Sequence, residues 1–539
     1  MAIIKIKNLS FTYHGSYTPV FHHLNFSMDT DWRLGLVGRN GRGKTTLVRL
    51  LMGELQGNGL IETGVQFDSF PFEVDENSAA LRALRCAIAP FDAWEEEMDR
   101  LINFGDELSL QRWGEIEQRY SANDGYIINS LIIKEADKMG IDSSALMRPL
   151  SSFSPGEKTR LLLSALFLRK NRFLLIDEPT NHLDMHSRGI VADYLSSKTG
   201  FLLISHDRDF LDRCVDHMMA LQKDKIHIEQ GNYSSYQYNK QLQDDFELQK
   251  NKLLKKDIIR LTSSSREKAV WSDKIEASKI GSHAADRGAI GHKAAKMMKR
   301  SLAIEARLQK QIEQKETLLK NIEFTAPLSL HPIRHSSRTL FNLLDVCFSY
   351  EDGINTISHL NLNLIQGKKL ALMGHNGVGK STLLKLLTGA LQPTSGSISK
   401  PDDLIISVLP QEMRLVAGTA FEIAQNEGVE TDYFLAILRK LGFPREAFTR
   451  DARSFSMGQQ KKLLLAASMA KKAHIYLWDE PLNYIDLESR EQIEAMLSQT
   501  SATMVFVEHD RHFVNQVATD AVSWDEQGNI LMLEIAEIQ

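Results

Sequence analysis

Cysteine is scarce, and the three present, Cys86, Cys214 and Cys347, lie far apart with no metal-ligand spacing. That usage fits small core residues in a reducing compartment and argues against a disulfide framework. Long apolar runs are missing too. None approaches the ~18 residues needed to span a bilayer, so a membrane-embedded class is excluded. The opening stretch, MAIIKIKNLSFTYHG, alternates like a strand and lacks the apolar centre of a signal peptide. The expectation is a cytoplasmic chain with no membrane segment of its own. Proline is absent from Tyr236 to Asn321, and the glycines there, Gly281, Gly288 and Gly291, cluster in the middle. This pattern predicts a long helix, a turn and a long helix returning, each limb of about 30–40 residues running roughly 45–60 Å.

At 539 residues the chain exceeds one core and suits two or three domains. Its formal net charge is −5, yet Asn251 to Lys320 carries 17 Lys/Arg against 8 Asp/Glu. Positive charge is therefore concentrated between two acidic bodies, a field that favours a polyanion such as nucleic acid. On charge alone a solvated helical spacer accounts for it equally well.

On either side of that segment the same landmarks occur twice. Leu34 to Val37 is apolar and runs into Gly38-Arg39-Asn40-Gly41-Arg42-Gly43-Lys44-Thr45, followed by Thr46 and a helical pattern. Lys369 to Met373 likewise precedes Gly374-His375-Asn376-Gly377-Val378-Gly379-Lys380-Ser381, followed by Thr382. Both match the phosphate loop in its required strand–loop–helix setting. Glycines let backbone N–H groups wrap phosphate oxygens at a helix N-terminus. Lys44 and Lys380 would reach the β- and γ-phosphates, and Thr45 and Ser381 would ligate Mg²⁺. Each half then has an apolar strand ending in two carboxylates, Asp177-Glu178 and Asp479-Glu480. The aspartates can hold Mg²⁺ through water, and Glu178 and Glu480 can polarise the attacking water. His206 and His509 each follow a further apolar strand. One such histidine would be read as a satisfied polar residue at a strand end; two at matching places point to the site.

Ser154-Pro155-Gly156-Glu157 and Ser456-Met457-Gly458-Gln459 each open an amphipathic helical run, and alone they are only helix caps. Between a phosphate loop and an Asp-Glu strand they resemble the signature motif of ABC ATPases. Both halves are similar to ABC nucleotide-binding domains, which implies an α/β fold with two tandem P-loop ATPase domains joined by a long helical hairpin linker. Tyr13 and Tyr350, at the ends of first strands, match the family's adenine-stacking aromatic; an isolated tyrosine there would be an ordinary sheet residue. Lys44 and Lys380 are 336 residues apart, whereas Glu178 and Glu480 are 302 apart. The first half therefore holds 34 extra residues, assigned to Phe91–Gly125, an acidic helical pair with Trp94 and Trp113 at its seam.

Tandem domains, this insertion and a basic linker resemble the ABC-F family, whose insertion is its arm. The expected layout is a first domain at 1–235 with the arm near 91–125, a linker at 236–335 with its tip near 279–291, and a second domain at 336–539. The resemblance implies ATP and Mg²⁺ as cofactors, hydrolysis to ADP and phosphate, and a chain that pairs its own two domains as a monomer. It implies the 70S ribosome as partner, with rRNA and tRNA near the exit site and the peptidyl-transferase centre. The Ala-Ala-Lys-Met-Met-Lys-Arg run and Trp478 to Asp486 resemble the antibiotic-resistance branch (Vga- and Lsa-like proteins), which protects ribosomes from lincosamides, pleuromutilins and group A streptogramins. Housekeeping ABC-F translation factors share the stronger motifs; a transporter ATPase subunit and a DNA-repair ABC ATPase rank behind them.

In the head-to-tail pairing of the family, Lys44, Thr45, Asp177, Glu178 and His206 would face Ser456, Gly458 and Gln459. Lys380, Ser381, Gln411, Asp479, Glu480 and His509 would face Ser154, Gly156 and Glu157. Gln411 matches a metal-contacting glutamine, but Phe72 stands at its place in the first half. Pro155 and Met457 replace the usual first signature glycine, and Leu482-Asn483-Tyr484 replaces Thr-Asn-His. Equal turnover at the two sites is not expected.

Overall fold

The computed structural model describes residues 2–15, 19–104, 106–181, 183–222, 225–277, 307, 310, 327–350, 355–411, 417–524 and 530–533. It divides into two units, Met1–Ser234 with Ala326–Gln539, and Ser235–Thr325. The expected linker tip at 279–291, its flanks Lys293, Lys296, Lys299 and Arg300, and the returning limb apart from Arg307 and Lys310 lie outside the described residues.

Within the first unit one α/β plan is built twice. In the first half β1 (Ile3–Phe11) pairs antiparallel with β2 (Phe21–Asp29) and β4 (Asn58–Glu62). A six-stranded sheet has the order β5-β6-β7-β3-β8-β9, from β3 (Arg33–Val37), β5 (Gln66–Phe70), β6 (Arg172–Asp177), β7 (Phe201–Ile204), β8 (His217–Leu221) and β9 (Ile226–Gln230). Only β8 and β9 pair antiparallel there. The second half repeats both sheets. β10 (Thr339–Ser349) lies between β11 (Asn355–Ile365) and β13 (Ser395–Ser399). The large sheet runs β14-β15-β16-β12-β17-β18, from β12 (Lys369–Met373), β14 (Ile406–Leu409), β15 (Ile475–Asp479), β16 (Thr503–Val507), β17 (Asp520–Trp524) and β18 (Ile530–Leu533).

The central strands read as unbroken apolar runs because parallel strands are covered on both faces. Every residue of β15 and β16 is buried, including Trp478 at the heart of the second half. Register then decides where chemistry emerges. Leu36 and Asp177 both pair with Ile204, and Leu372 and Asp479 both pair with Val507. The phosphate loop, the two carboxylates and the histidine of each half therefore leave adjacent interior strands at their carboxyl ends, where ligands of open α/β sheets bind.

Residues 91–125 contain two helices, Phe91–Phe104 and Glu107–Ala122, the second capped by the Asp106 carboxylate accepting from the Ser109 N–H. Phe91 and Tyr120 are buried at the root, with Trp94 and Trp113 half-buried beside them, whereas Ile102, Leu108 and Leu110 are exposed. The helix Tyr233–Ala277 runs 45 residues and carries the chain into the second unit. Among the described residues no helix is long and apolar enough to cross a membrane. Of the cysteines expected in the core, only Cys214 is buried; Cys86 is exposed and Cys347 half-buried. Cys86 sits on a short helix whose apolar face is met by other residues, a detail that spacing does not reveal.

Candidate functional site

Each phosphate loop ends on a glycine in the left-handed region, Gly43 at φ 98° and Gly379 at φ 110°, and the next residue starts a helix (Lys44–Leu51, Lys380–Thr388). A Cβ at Gly379 would lie 2.9 Å from the Thr356 carbonyl oxygen, so the turn excludes any side chain. Gly41 and Gly377 also take positive φ, 82° and 83°. Lys44 Nζ donates to the Gly38 carbonyl at 2.6 Å and Asn40 Oδ1 at 3.3 Å. Lys380 Nζ donates to the Gly374 and His375 carbonyls at 2.7 and 2.8 Å. Burial pushes both ammonium groups down, Lys380 to about 8, despite the carboxylates around them. Tyr13 and Tyr350 are partly exposed and anchored by their hydroxyls, 2.9 Å from Thr46 Oγ1 and 3.1 Å from Thr382 Oγ1.

Oxygen donors suited to a hard divalent cation stand beside each loop. Thr45 Oγ1 lies 3.4 Å from Asp177 Oδ2, and Ser381 hydrogen-bonds Asp479, whose buried Oδ1 has no hydrogen-bond partner among the described residues. Burial raises the pKa of both aspartates, a cost that a bound cation would remove. Hydroxyl and carboxylate oxygens are the donor set Mg²⁺ prefers, so the residues fit it.

The neighbouring glutamates share a strained backbone, φ 49° at Glu178 and 46° at Glu480, in a region non-glycine residues rarely occupy. Their surroundings differ. Burial, with Asp177 adding to it, pushes the Glu178 carboxyl up to about 8, and His206 Nε2 stands 3.4 Å from its Oε1. Burial drives His206 well below its usual value. Burial also acts on Glu480, but His509 and Gln411 overcome it and hold the carboxyl below its ordinary range. Gln411 Nε2 donates to Glu480 Oε1 at 3.0 Å, and His509 Nε2 lies 3.6 Å away.

The signature residues cap helices in both halves. Ser154 and Glu157 close a capping box on the helix Pro155–Leu166, with Gly156 in its first turn; Ser456 and Gln459 do so on Met457–Ala470. The second signature lies against the first phosphate loop. A Cβ on Gly458 would stand 2.8 Å from Asn40 Nδ2 and 2.6 Å from the Tyr484 carbonyl oxygen, to which Asn40 donates at 2.9 Å. Arg39 pairs with Glu488 at 2.6 Å, and on the other side His375 Nδ1 meets Asp184 Oδ2 at 3.2 Å. Arg188 donates to the His509 carbonyl, and Arg208 pairs with Glu494. The two halves thus meet through the phosphate loop of each and the segment after the Asp-Glu strand of the other. Pattern reading missed Arg39, Asn483, Asp184 and Asp486; the equal 302-residue offset of Asp184 and Asp486 was the one signal for the last two.

Comparison with known proteins agrees with this geometry. The family model described as ABC transporter matches residues 21–181 and 357–483. The probable ATP-binding protein YheS of Escherichia coli K12 is 29% identical over 90% of this chain and 74% of its own length. ABC transporter F family member 2 of Arabidopsis thaliana is 26% identical over 97% of this chain and 77% of its own. A solved structure titled as a model of ribosome-bound archaeal Pelota and ABCE1 aligns over 98% of this chain and 79% of its own, with TM-score 0.58 and 20% identity, and shows the fold alone. With two matched ATP-binding regions, paired phosphate loops and paired Asp-Glu strands, the chain is an ATPase and belongs to the ABC transporter family, in its ABC-F group.

Proposed function

We propose that this ATPase binds the 70S ribosome in its ATP-bound form and displaces antibiotics from the peptidyl-transferase centre, with hydrolysis releasing it. The observation that carries the ribosomal reading is the charge of the linker, 17 Lys/Arg against 8 Asp/Glu between Asn251 and Lys320, in a chain that is otherwise acidic. Such a segment gains affinity by displacing counterions from RNA phosphates. Specificity on RNA comes more from shape and stacking than from groove reading. The drug-displacement part rests on the likeness of the linker run and of Trp478 to Asp486 to the antibiotic-resistance branch.

In each site the lysine (Lys44, Lys380) and the phosphate-loop amides bind the phosphates, while Tyr13 or Tyr350 packs on the adenine. Thr45 and Asp177, or Ser381 and Asp479, would hold Mg²⁺, which when bound would supply charge neutralisation for the phosphates. The site glutamate accepts a proton from water as the water oxygen bonds to the γ-phosphorus. The bridging P–O bond breaks and its electron pair leaves with ADP, and the proton passes to the released phosphate. The signatures Ser456-Gly458-Gln459 and Ser154-Gly156-Glu157 complete the opposite sites, so ATP favours the paired arrangement of the halves.

The Glu178→Gln, Glu480→Gln double variant, which binds ATP without hydrolysing it, tests the reading. It should pellet with 70S ribosomes when ATP is present, less so as salt rises, and then displace lincomycin or tiamulin. Equal pelleting with and without ATP would sink the proposal.

A further inference from the structure

The two halves present the same glutamate in two settings. Both oxygens of Glu480 are held: Oε1 accepts from Gln411 Nε2 at 3.0 Å, and Oε2 accepts from Asn483 Nδ2. Glu178 Oε1 is buried and has no hydrogen-bond partner among the described residues; His206 faces the carboxylate with Nε2 3.4 Å from that oxygen and with its backbone N–H, and no described side chain there donates to the group as Gln411 and Asn483 do to Glu480. Asn181, the counterpart of Asn483, makes no side-chain hydrogen bond to Glu178 among those residues.

The cause lies in the strand-end segment beyond β5. Where the second half supplies Gln411, the first supplies Phe72, whose ring offers neither donor nor acceptor to a carboxylate or a water. Nor is that ring loose. The Arg169 guanidinium carbon stands 4.5 Å from its centre, and Arg169 is itself fixed by Asp68 at 3.3 Å and by donating to the Ala87 carbonyl at 2.9 Å. A cation over an aromatic face is a stabilised arrangement, so Phe72 is locked in place by its own half.

We infer that ATP turns over at the second site and is held at the first, with Gln411 and Asn483 as positioning residues for Glu480 and Phe72 as the residue that keeps the first site slow. The reaction at Glu480 is the water attack described above; general-base assistance is worth about 10²–10⁴-fold and depends on placement. The first phosphate loop is meanwhile closed over by the other half, through Asn40, Tyr484 and Gly458, an arrangement suited to retention.

Steady-state kinetics on the full chain test this without any ribosome, so the outcome is independent of the ribosomal reading. Glu480→Gln should lower kcat at least about tenfold further than Glu178→Gln does; equal losses would overturn the inference. Gln411→Leu should lower kcat about tenfold or more with KM within about twofold, whereas a change confined to KM would show that Gln411 only shapes the pocket. Phe72→Gln placed in the Glu480→Gln background should raise the residual kcat at least about threefold, and an unchanged rate would overturn the role given to Phe72.

Discussion

Asp486 is a deeply buried, paired charge in the second half, and neutralising it gives a sharp test of the packing. Its side chain is 1% exposed and pairs with Lys462, 6% exposed, which also donates to the Leu441 carbonyl at 2.7 Å. Burial acts against the ionised carboxyl, but Lys462 overcomes it and holds Asp486 far below the ordinary carboxylate range. Asp486→Asn keeps the shape and the cap, because an asparagine oxygen can still accept from the Ser489 N–H as Asp486 Oδ1 does at 3.1 Å. What it removes is the charge opposite Lys462. Stranding one member of a buried pair costs about 3–5 kcal/mol. At about 1.4 kcal/mol per tenfold, the lower figure is roughly a hundredfold change in the opening equilibrium. Native-state hydrogen exchange along Met457–Ala470 reads that equilibrium locally, without treating a chain of several domains as two-state. The variant should exchange there roughly a hundredfold faster, while the first-half helix Pro155–Leu166 stays near wild type. Adding Lys462→Met should recover most of the loss, since a buried pair and an apolar substitute are often of similar stability. An acceleration under about threefold, below 1 kcal/mol, would refute the claim that this pair holds the segment.

Three further outcomes follow from the contacts described. Gly458→Ala puts a Cβ within 2.6 Å of the Tyr484 carbonyl; ATP retained after rapid desalting should fall, and unchanged retention would mean that the halves separate more easily than the packing indicates. Asn40→Ala removes the 2.9 Å hydrogen bond to Tyr484, and a fluorescent ATP analogue should bind the first site about fivefold more weakly, from a loss of about 1 kcal/mol. Glu135 accepts from Tyr194, Lys138 and Lys198, which together overcome burial and hold it down at about 2. A depressed carboxyl stabilises above its unfolded value of about 4.3, and that contribution disappears as pH falls through the folded value. Wild type should therefore lose melting temperature between pH 5 and 2 (about the span of the two values) more steeply than Glu135→Gln; parallel curves would contradict the role of the cluster.

The elements that place the chemistry could be read from the chain because each is local. Gly43 and Gly379 mark their turns, the apolar runs of β6 and β15 announce buried parallel strands, and Ser154 with Glu157 and Ser456 with Gln459 spell out capping boxes three residues apart. What brings the sites together is not local. Asn40 and Tyr484 are 444 residues apart in sequence, and His375 and Asp184 are 191 apart; no periodicity encodes such meetings. Nor does a strand ending in Asp-Glu disclose that its glutamate adopts positive φ. The different settings of Glu178 and Glu480 depend on Asn483 and on Arg169 over Phe72, partners that only the folded chain supplies.

The Phe91–Phe104 and Glu107–Ala122 helices leave the connection between the adjacent strands β5 and β6; their inner turns, as far as Met98 and Ile116, are tied to the core, and their outer turns are not. Phe91 is fully buried and Tyr120 is 5% exposed, whereas Leu108 near the far end is 77% exposed. Length can therefore be added or removed at the outer turns without shifting the register of β5 against β6 or moving Asp177. For evolution this makes the reach of the projection a free variable: relatives can lengthen, trim or recharge it to suit a new docking partner while the ATP-hydrolysing machinery is inherited intact.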